Sequence, residues 1–348
     1  MRRADHGRGG ASNPPNRFQP FHVEPLESEE EQQRAVPTRY YVDSSRSILA
    51  ENDSPDVPFA FSINPYRGCE HGCIYCYARQ THEYLGFSAG VDFESKILVK
   101  PDAPELLERA FRRKSWQPQP VCLSGNTDCY QPVERRLELT RKCLQVFLKY
   151  RNPVTMVTKS QLITRDLDIL QELAKLNLVS VHFSITTLDP CLARIMEPRA
   201  AAPHRRMEAL HSLSGAGVPT GVSVSPVIPG LTDEEIPAIV RNAAANGARS
   251  AVYILVRLPL AVEQLFVEWL ERHMPARSAK ILNRLREIRG GKLSTSDFST
   301  RKQGEGKIAE SIRALFEMSC RKNGLSQDGF ELATSRFVRD AGPQPSLF

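Results

Sequence analysis

Between about residue 57 and residue 325 the chain alternates short apolar runs with longer stretches whose apolar positions recur at helical spacing. Phe59–Ile63 is a strand candidate. Phe93–Val99 alternates as a half-buried strand does, and 105–116 has helical spacing. From there the alternation becomes regular. Strands are expected at 121–124, 153–158, 178–185, 218–224 and 250–256, with helices at 133–150, 166–176, 204–213 and 233–245 between them. Thr232 followed by Glu235 has the form of a capping box at the start of the last of these helices. With Phe93–Val99 outside the series, six core strands remain. Repeated strand–helix units imply an α/β fold with a parallel sheet and helices outside it. Further helices follow Pro259 up to about Asn323.

The ends of the chain lack this periodicity. Residues 1–56 contain Gly7-Arg-Gly-Gly10, Asn13-Pro-Pro-Asn16 and an acidic run at 27–31, and read as a poorly ordered extension. The organisation expected is an extension over 1–56, a core domain over 57–300, a carboxyl-terminal helix over 301–325 and a flexible tail over 326–348.

Composition narrows the class. At 348 residues, 41% hydrophobic and 25% charged, the chain can bury a full core. Its most apolar stretch, Ala251–Val256, stops at Arg257, far short of a membrane span. No apolar run follows Arg2-Arg3, so export is not expected. Eight cysteines spread over this length are not a disulfide framework and suit a reducing, cytoplasmic compartment. The net charge of +6 permits an acidic partner such as nucleic acid.

The densest chemistry lies in Asn64-Pro-Tyr-Arg-Gly-Cys-Glu-His-Gly-Cys-Ile-Tyr-Cys-Tyr77, where Cys69, Cys73 and Cys76 are spaced Cys-x3-Cys-x2-Cys after a strand. Three thiols this close together cannot all pair as disulfides. They can ligate three irons of a cuboidal iron–sulfur cluster and leave the fourth open to a substrate or cofactor. Gly68 and Gly72 permit the tight turns that such a loop needs. A zinc site completed by His71 or His82 is the other reading, although zinc ligands ordinarily come as pairs from two separated segments.

The spacing, with Tyr75 between the last two cysteines, resembles the signature of the radical S-adenosylmethionine (SAM) superfamily. The Asp128-Cys-Tyr-Gln-Pro132 segment resembles its spore photoproduct lyase-like branch. The resemblance implies a partial (β/α)6 barrel of the TIM type, a 4Fe-4S cluster and SAM as cofactors, and a flavodoxin or ferredoxin as reductant. It implies reductive cleavage of SAM to a 5′-deoxyadenosyl radical, with a DNA lesion as the substrate suggested by the branch. Functional side chains then belong at the carboxyl ends of strands. Ser124, Gly125, Asn126, Thr127 and Asp128 end the second strand, where the superfamily holds the amino group of SAM. Lys159 ends the third, where the branch places a lysine for the SAM carboxylate. Ser184 ends the fourth, with hydroxyls suited to ribose. Glu197-Pro-Arg199 matches a segment of the branch and makes Arg199 an anion-binding candidate, with Arg205 behind it. Cys129 is the candidate hydrogen-atom donor, with Cys122 nearby, and Tyr77 or Tyr130 are candidate relays.

Two other readings of these residues stand beside this one: a radical SAM enzyme acting on a protein, tRNA or small metabolite, and a non-catalytic iron–sulfur or zinc protein. For DNA, the candidate phosphate contacts are Arg109, Arg112, Arg113 and Lys114, and Arg284, Arg286 and Arg289. Finally, Gln344-Pro-Ser-Leu-Phe348 resembles the bacterial sliding-clamp-binding motif, which makes a clamp a candidate partner.

Overall fold

A computed structural model describes residues 7–19 and 36–339. Its strands are β1 (Arg39–Val42), β2 (Leu49–Glu51), β3 (Phe61–Ile63), β4 (Tyr66–Arg67), β5 (Lys96–Val99), β6 (Val121–Leu123), β7 (Val154–Thr158), β8 (Val179–Ser184), β9 (Thr220–Val227) and β10 (Ser250–Leu255). The main sheet runs β10-β9-β8-β7-β6-β3-β2. From β3 to β10 every pairing is parallel, and β2 closes one side antiparallel to β3. Helices Leu139–Tyr150, Leu167–Lys175, Pro203–Gly215 and Ile236–Ala245 follow β6, β7, β8 and β9 in turn. This is the partial (β/α)6 barrel that the periodicity and the family resemblance led us to expect. Helices on one face and barrel interior on the other explain why the strands are apolar runs, such as the buried Val154, Met156, Val179, Val181, Val222 and Val224.

The sequence pattern misplaces several elements, each for a local reason. Phe93–Val99 divides into a helical turn, Val91–Ser95, and β5, because Glu94 is turned inward to meet Arg79. The helix expected at 133–150 breaks at Glu138, which takes a left-handed conformation. The break lets the Glu134 carboxylate accept from both the Tyr66 hydroxyl and the Thr140 amide. Thr232 and Glu235 form no capping box. The Thr232 hydroxyl accepts from the Ile228 amide instead, and the Glu235 carboxylate caps the turn at Thr187 and Leu188.

The two ends need larger corrections. Within 1–56, residues 7–19 pack against the cysteine loop, and 36–56 supply β1 and β2, so these parts are not a disordered extension. β1 pairs parallel with β5, and β5 pairs antiparallel with β4, giving a small second sheet whose β4 leads directly into Cys69. Likewise, residues 326–339 are part of the packed domain rather than a flexible tail. The Ser326 carbonyl accepts from the Ala251 amide, and the Lys302 carbonyl from Leu255, which satisfies the outer edge of β10. Phe337 packs edge-on to Phe111 and beside Tyr150. The clamp-like Gln344–Phe348 lies outside the described residues. Among the described residues no helix is long and apolar enough to cross a membrane.

Because Phe337 is half-buried on an aromatic cluster, Phe337→Ala should lower the free energy of unfolding by about 1–3 kcal/mol. Urea denaturation checks this, and an unchanged midpoint would show that the segment contributes nothing to the fold.

Candidate active site

The cysteine loop is held through its backbone amides, by bonds within the loop and to neighbouring segments. The Cys69 amide donates to the Phe93 carbonyl (3.0 Å), Ile74 to Met196 (3.0 Å), and Cys76 to Cys73 (3.2 Å). Gly68 and Gly72 both have positive φ, +79° and +66°. A Cβ on Gly68 would stand 2.9 Å from the Phe93 carbonyl, and one on Gly72 would stand 2.5 Å from the Glu94 carboxylate, so neither position admits a side chain. Beneath the loop lies a fully buried ion pair, Arg79 with Glu94 at 2.5 Å. The Arg79 guanidinium also donates to the carbonyls of Gly72 (3.1 Å), Cys73 (3.0 Å) and Gly90 (3.0 Å). Glu94 in turn accepts the amides of Gly9 (2.9 Å) and Gly10 (2.7 Å). The amino-terminal segment thus lies in backbone contact with the loop. A Cβ on Gly9 would fall 1.8 Å from the Gly72 carbonyl oxygen.

Cys69 and Cys73 are buried, and Cys76 is half-buried. Burial pushes all three thiols up from their ordinary range, and for Cys73 the Glu197 carboxylate adds to it. A bound metal centre reverses that balance by stabilising the thiolates. A donor set of thiols alone suits an iron–sulfur cluster. The histidines of the zinc reading are engaged elsewhere. His71 faces Asp128 at 3.3 Å, and His82 bonds the Lys96 carbonyl at 2.8 Å between the rings of Phe87 and Phe93. Among the described residues no three His, Cys, Asp or Glu side chains stand together as a site for a single metal ion.

The ends of β7, β8 and β9 converge beside this loop. Lys159 Nζ donates to the Ser184 hydroxyl and lies 3.3 Å from the Ser225 carbonyl. It stands 3.7 Å from Glu197 and 5.8 Å from the centre of the Tyr75 ring. Glu197 accepts from the hydroxyls of Tyr75 and Thr186 and pairs with Arg206, itself buried and bonded to the carbonyls of Ser184 and Ala201. Burial alone would raise the pKa of Glu197, but Arg206 and Lys159 outweigh it and hold the carboxyl at about 2.

The segment ending β6 ties loops together. Asp128 accepts from the Lys159 amide (2.7 Å), the Thr158 hydroxyl (2.8 Å) and the Tyr130 amide (2.9 Å). Burial opposes its ionisation, yet His71 and these donors bring its pKa to about 2. The Thr127 hydroxyl donates to the Tyr66 carbonyl. Ser124 has φ +90°, accepts the Cys129 amide and donates to the Thr127 carbonyl. The amides of Asn126 and Thr127 are both held by Asn64. Gly125 receives the Tyr77 hydroxyl at 2.5 Å and packs against Ser62. Cys129 and Tyr130 are buried, and the Tyr130 hydroxyl is spent on Asp166.

Arg199 reaches the cysteine loop from outside, 3.4 Å from Glu70 and 3.2 Å from the Thr38 hydroxyl, whereas Arg205 is exposed and pairs with Glu208. Of the candidate phosphate contacts, Arg112 pairs with Glu108, Arg284 with Asp233, and Arg289 is buried on backbone carbonyls. Glu197, Arg206, Arg79 and Glu94 were missed as site residues. The one signal was the Glu-Pro-Arg segment, in which the glutamate, not the arginine, proves central.

A family model described as the radical SAM superfamily matches residues 63–243. An uncharacterised protein of Mycobacterium tuberculosis is 36% identical over 234 residues, covering 67% of this chain and 68% of that protein. One from Methanocaldococcus jannaschii is 28% identical over 215 residues, covering 62% and 76%. Among solved structures, spore photoproduct lyase complexed with dinucleoside spore photoproduct superposes with a TM-score of 0.62 at 16% identity, covering 88% of this chain and 86% of that one. A mutant of the lyase with bound AdoMet and the dinucleoside gives 0.59 at 16%, covering 89% and 88%. At that identity the likeness carries the fold.

Glu197→Gln leaves Arg206 and Lys159 without their counter-charge in a buried site. It should destabilise the fold by about 3–5 kcal/mol, against less than about 0.5 for Arg205→Ala. A carboxyl held below its ordinary 4.5 contributes stability that is complete above that pH and is lost as the pH falls toward 2. The difference between wild type and Glu197→Gln should therefore shrink between pH 4.5 and 2. Chemical denaturation across that range checks both, and a difference that stays constant would show that Glu197 is not ionised in the fold.

Proposed function

This chain belongs to the radical SAM superfamily, and from that premise we propose that it cleaves SAM reductively to repair a lesion in DNA, in the manner of a photoproduct lyase. SAM and a 4Fe-4S cluster are its cofactors. When bound, the cluster supplies the electron that breaks a carbon–sulfur bond of SAM, yielding a 5′-deoxyadenosyl radical.

The chain's own residues have separable tasks. Cys69, Cys73 and Cys76 hold the cluster, and Arg79 with Glu94 keeps their loop closed. Lys159 offers its charge to the SAM carboxylate, and Ser184 and Ser225 aim it. Arg206 and Glu197 hold Tyr75 in place between the last two cysteines. Gly125, whose carbonyl accepts the Tyr77 hydroxyl, and Asn126 after it form the amino-group side. Cys129, buried and neutral, is the hydrogen-atom donor in this reading, and Tyr77 the relay. The observation that carries the proposal is the meeting of Lys159 from β7 and Ser184 from β8 beside Tyr75 of the cysteine loop. The DNA substrate is supported by the fold likeness to the lyase solved with its dinucleoside and by the net charge of +6. A flavodoxin or ferredoxin is the proposed donor of the electron, in a reducing cytoplasm, and Gln344–Phe348 the proposed tether to a sliding clamp.

Anaerobically reconstituted protein given dithionite and SAM should release 5′-deoxyadenosine. Cys73→Ala should lose iron, sulfide and that release together, and its retention of all three would end the ligand assignment. Lys159→Met should raise the KM for SAM by about tenfold or more, the scale of one charge-assisted bond. Loss of the photoproduct from an ultraviolet-irradiated oligonucleotide tests the substrate. Release of 5′-deoxyadenosine with no loss of the lesion would transfer the activity to a protein, tRNA or metabolite.

A further inference from the structure

Beyond the residues already given roles, a group of cations gathers where β10 ends. Arg257 follows β10 by two residues, so it stands at the carboxyl end of the strands, as Lys159 and Ser184 do. Its guanidinium lies 5.5 Å from the centre of the Tyr77 ring, directly after the last cysteine. Arg257 Nε is buried without a hydrogen-bond partner, and no carboxylate among the described residues pairs with the side chain. That is an unusual state for a guanidinium, which carries five donors in a fixed fork.

Its neighbours make the region more positive still. Arg301 and Lys302 share a single carboxylate, Asp56, which Arg301 grips through Nε (2.6 Å) and Nη2 (2.5 Å). Arg289 is buried on the carbonyls of Val256, Thr300 and Arg301, and so fixes the Arg301–Lys302 segment against the end of β10. Four cations, Arg257, Arg289, Arg301 and Lys302, face two acids, Asp56 and Glu305, leaving an excess of two positive charges. Burial first, and then the mutual repulsion of the cations, holds Arg257 and Lys302 below their ordinary range and brings Arg289 to about 10. The fold therefore assembles charge here against its own electrostatic preference. Two exposed aromatic rings adjoin the group: Tyr77 under Arg257, and Phe298 4.2 Å from the Arg301 guanidinium. Cations alternating with exposed rings are the features by which a protein grips the backbone and stacks the bases of a single strand.

We propose that Arg257, in the field of Arg301 and Lys302, is a phosphate-binding site that seats one phosphodiester of a single-stranded nucleic-acid segment beside Tyr77. The inference rests on the proposed function, in which the strand ends form the active site of an enzyme acting on DNA, and it names a group by which that substrate is anchored there. A guanidinium with no carboxylate partner among the described residues, an unbalanced field and flanking rings together fit a phosphate of a nucleotide chain. A free phosphate shares the chemistry but would gain nothing from the rings.

The test is fluorescence anisotropy of a labelled oligothymidylate with the full reconstituted chain, from 50 to 300 mM salt, with unlabelled oligothymidylate or inorganic phosphate as competitor. Each phosphate neutralised on a single strand contributes about −0.7 to the slope of log affinity against log salt. Arg257→Gln should weaken binding by about tenfold and make the slope shallower by about 0.7. Arg257→Lys, which keeps the charge and loses the fork, should keep the slope and lose part of the affinity. Oligothymidylate should compete far more strongly than inorganic phosphate, and equal competition per phosphate would reduce the site to one for the free ion. Should Arg257→Gln fail to fold, the Arg257→Lys result and the competition still decide. Unchanged affinity and slope in both variants, or lost affinity with an unchanged slope in Arg257→Gln, would overturn the proposal. Release of 5′-deoxyadenosine by the wild type is measured in parallel. Its absence would sink the enzyme reading and leave the phosphate result standing, while release with unaltered oligonucleotide binding in Arg257→Gln would sink only the phosphate site.

Discussion

The ion pair between Arg79 and Glu94 is the interaction on which the cysteine loop depends. Both side chains are completely buried, and each is satisfied by backbone groups as well as by its partner. Such pairs add little net stability, because the desolvation of two ions offsets their attraction, but removing one partner leaves a buried charge. The effect of this pair is therefore geometric. Arg79 holds the carbonyls of Gly72 and Cys73, Glu94 holds the amides of Gly9 and Gly10, and three segments distant in sequence share one arrangement. A loop that gathers three thiols, two of them buried, needs such a constraint, since the thiols offer it no hydrogen bonds of comparable strength.

A second buried network repeats the device at the strand ends. Glu197 stands among Arg206, Lys159, Tyr75 and Thr186, and its low pKa follows from that company despite full burial. The two networks meet through the cysteine loop: Arg79 grips the carbonyl of Cys73, and Glu197 grips the hydroxyl of Tyr75 two residues on. Asp128 supplies a third tie, from the end of β6 to the backbone of Lys159 and to His71 within the loop. The side chains proposed to meet SAM are thus positioned by carboxylates that are themselves spent on internal partners. The cations near Arg257 differ in that their field is left unbalanced, which is what a site for an external anion requires.

The order of strands, their parallel pairing and the position of the cysteine loop were legible because each rests on local pattern: apolar runs, helical spacing, and three cysteines within eight residues. Lys159 and Ser184 were legible by their place at strand ends. Glu94 and Arg79 were not, because a charged residue in a periodic pattern reads as solvated until the partner that buries it is known. The amino-terminal Gly7–Asn16 stretch was misread for the same reason. Glycine, proline and polar residues without periodicity resemble an unstructured segment, yet the two adjacent glycines at 9 and 10 are what permit backbone contact with Gly72.

The sequence by itself determined the α/β class, the family and the placing of three thiols in one short loop, since these depend on spacing along the chain. Tertiary structure alone decided that Glu197 rather than Arg199 sits at the centre of the strand-end network, that Asp128 and Thr127 spend their polar groups on neighbouring loops, and that Arg257 comes to lie over Tyr77. Those outcomes depend on which charges are desolvated together. Desolvation is a property of the packed molecule, set by elements brought together from different parts of the chain, and no local run of residues records it.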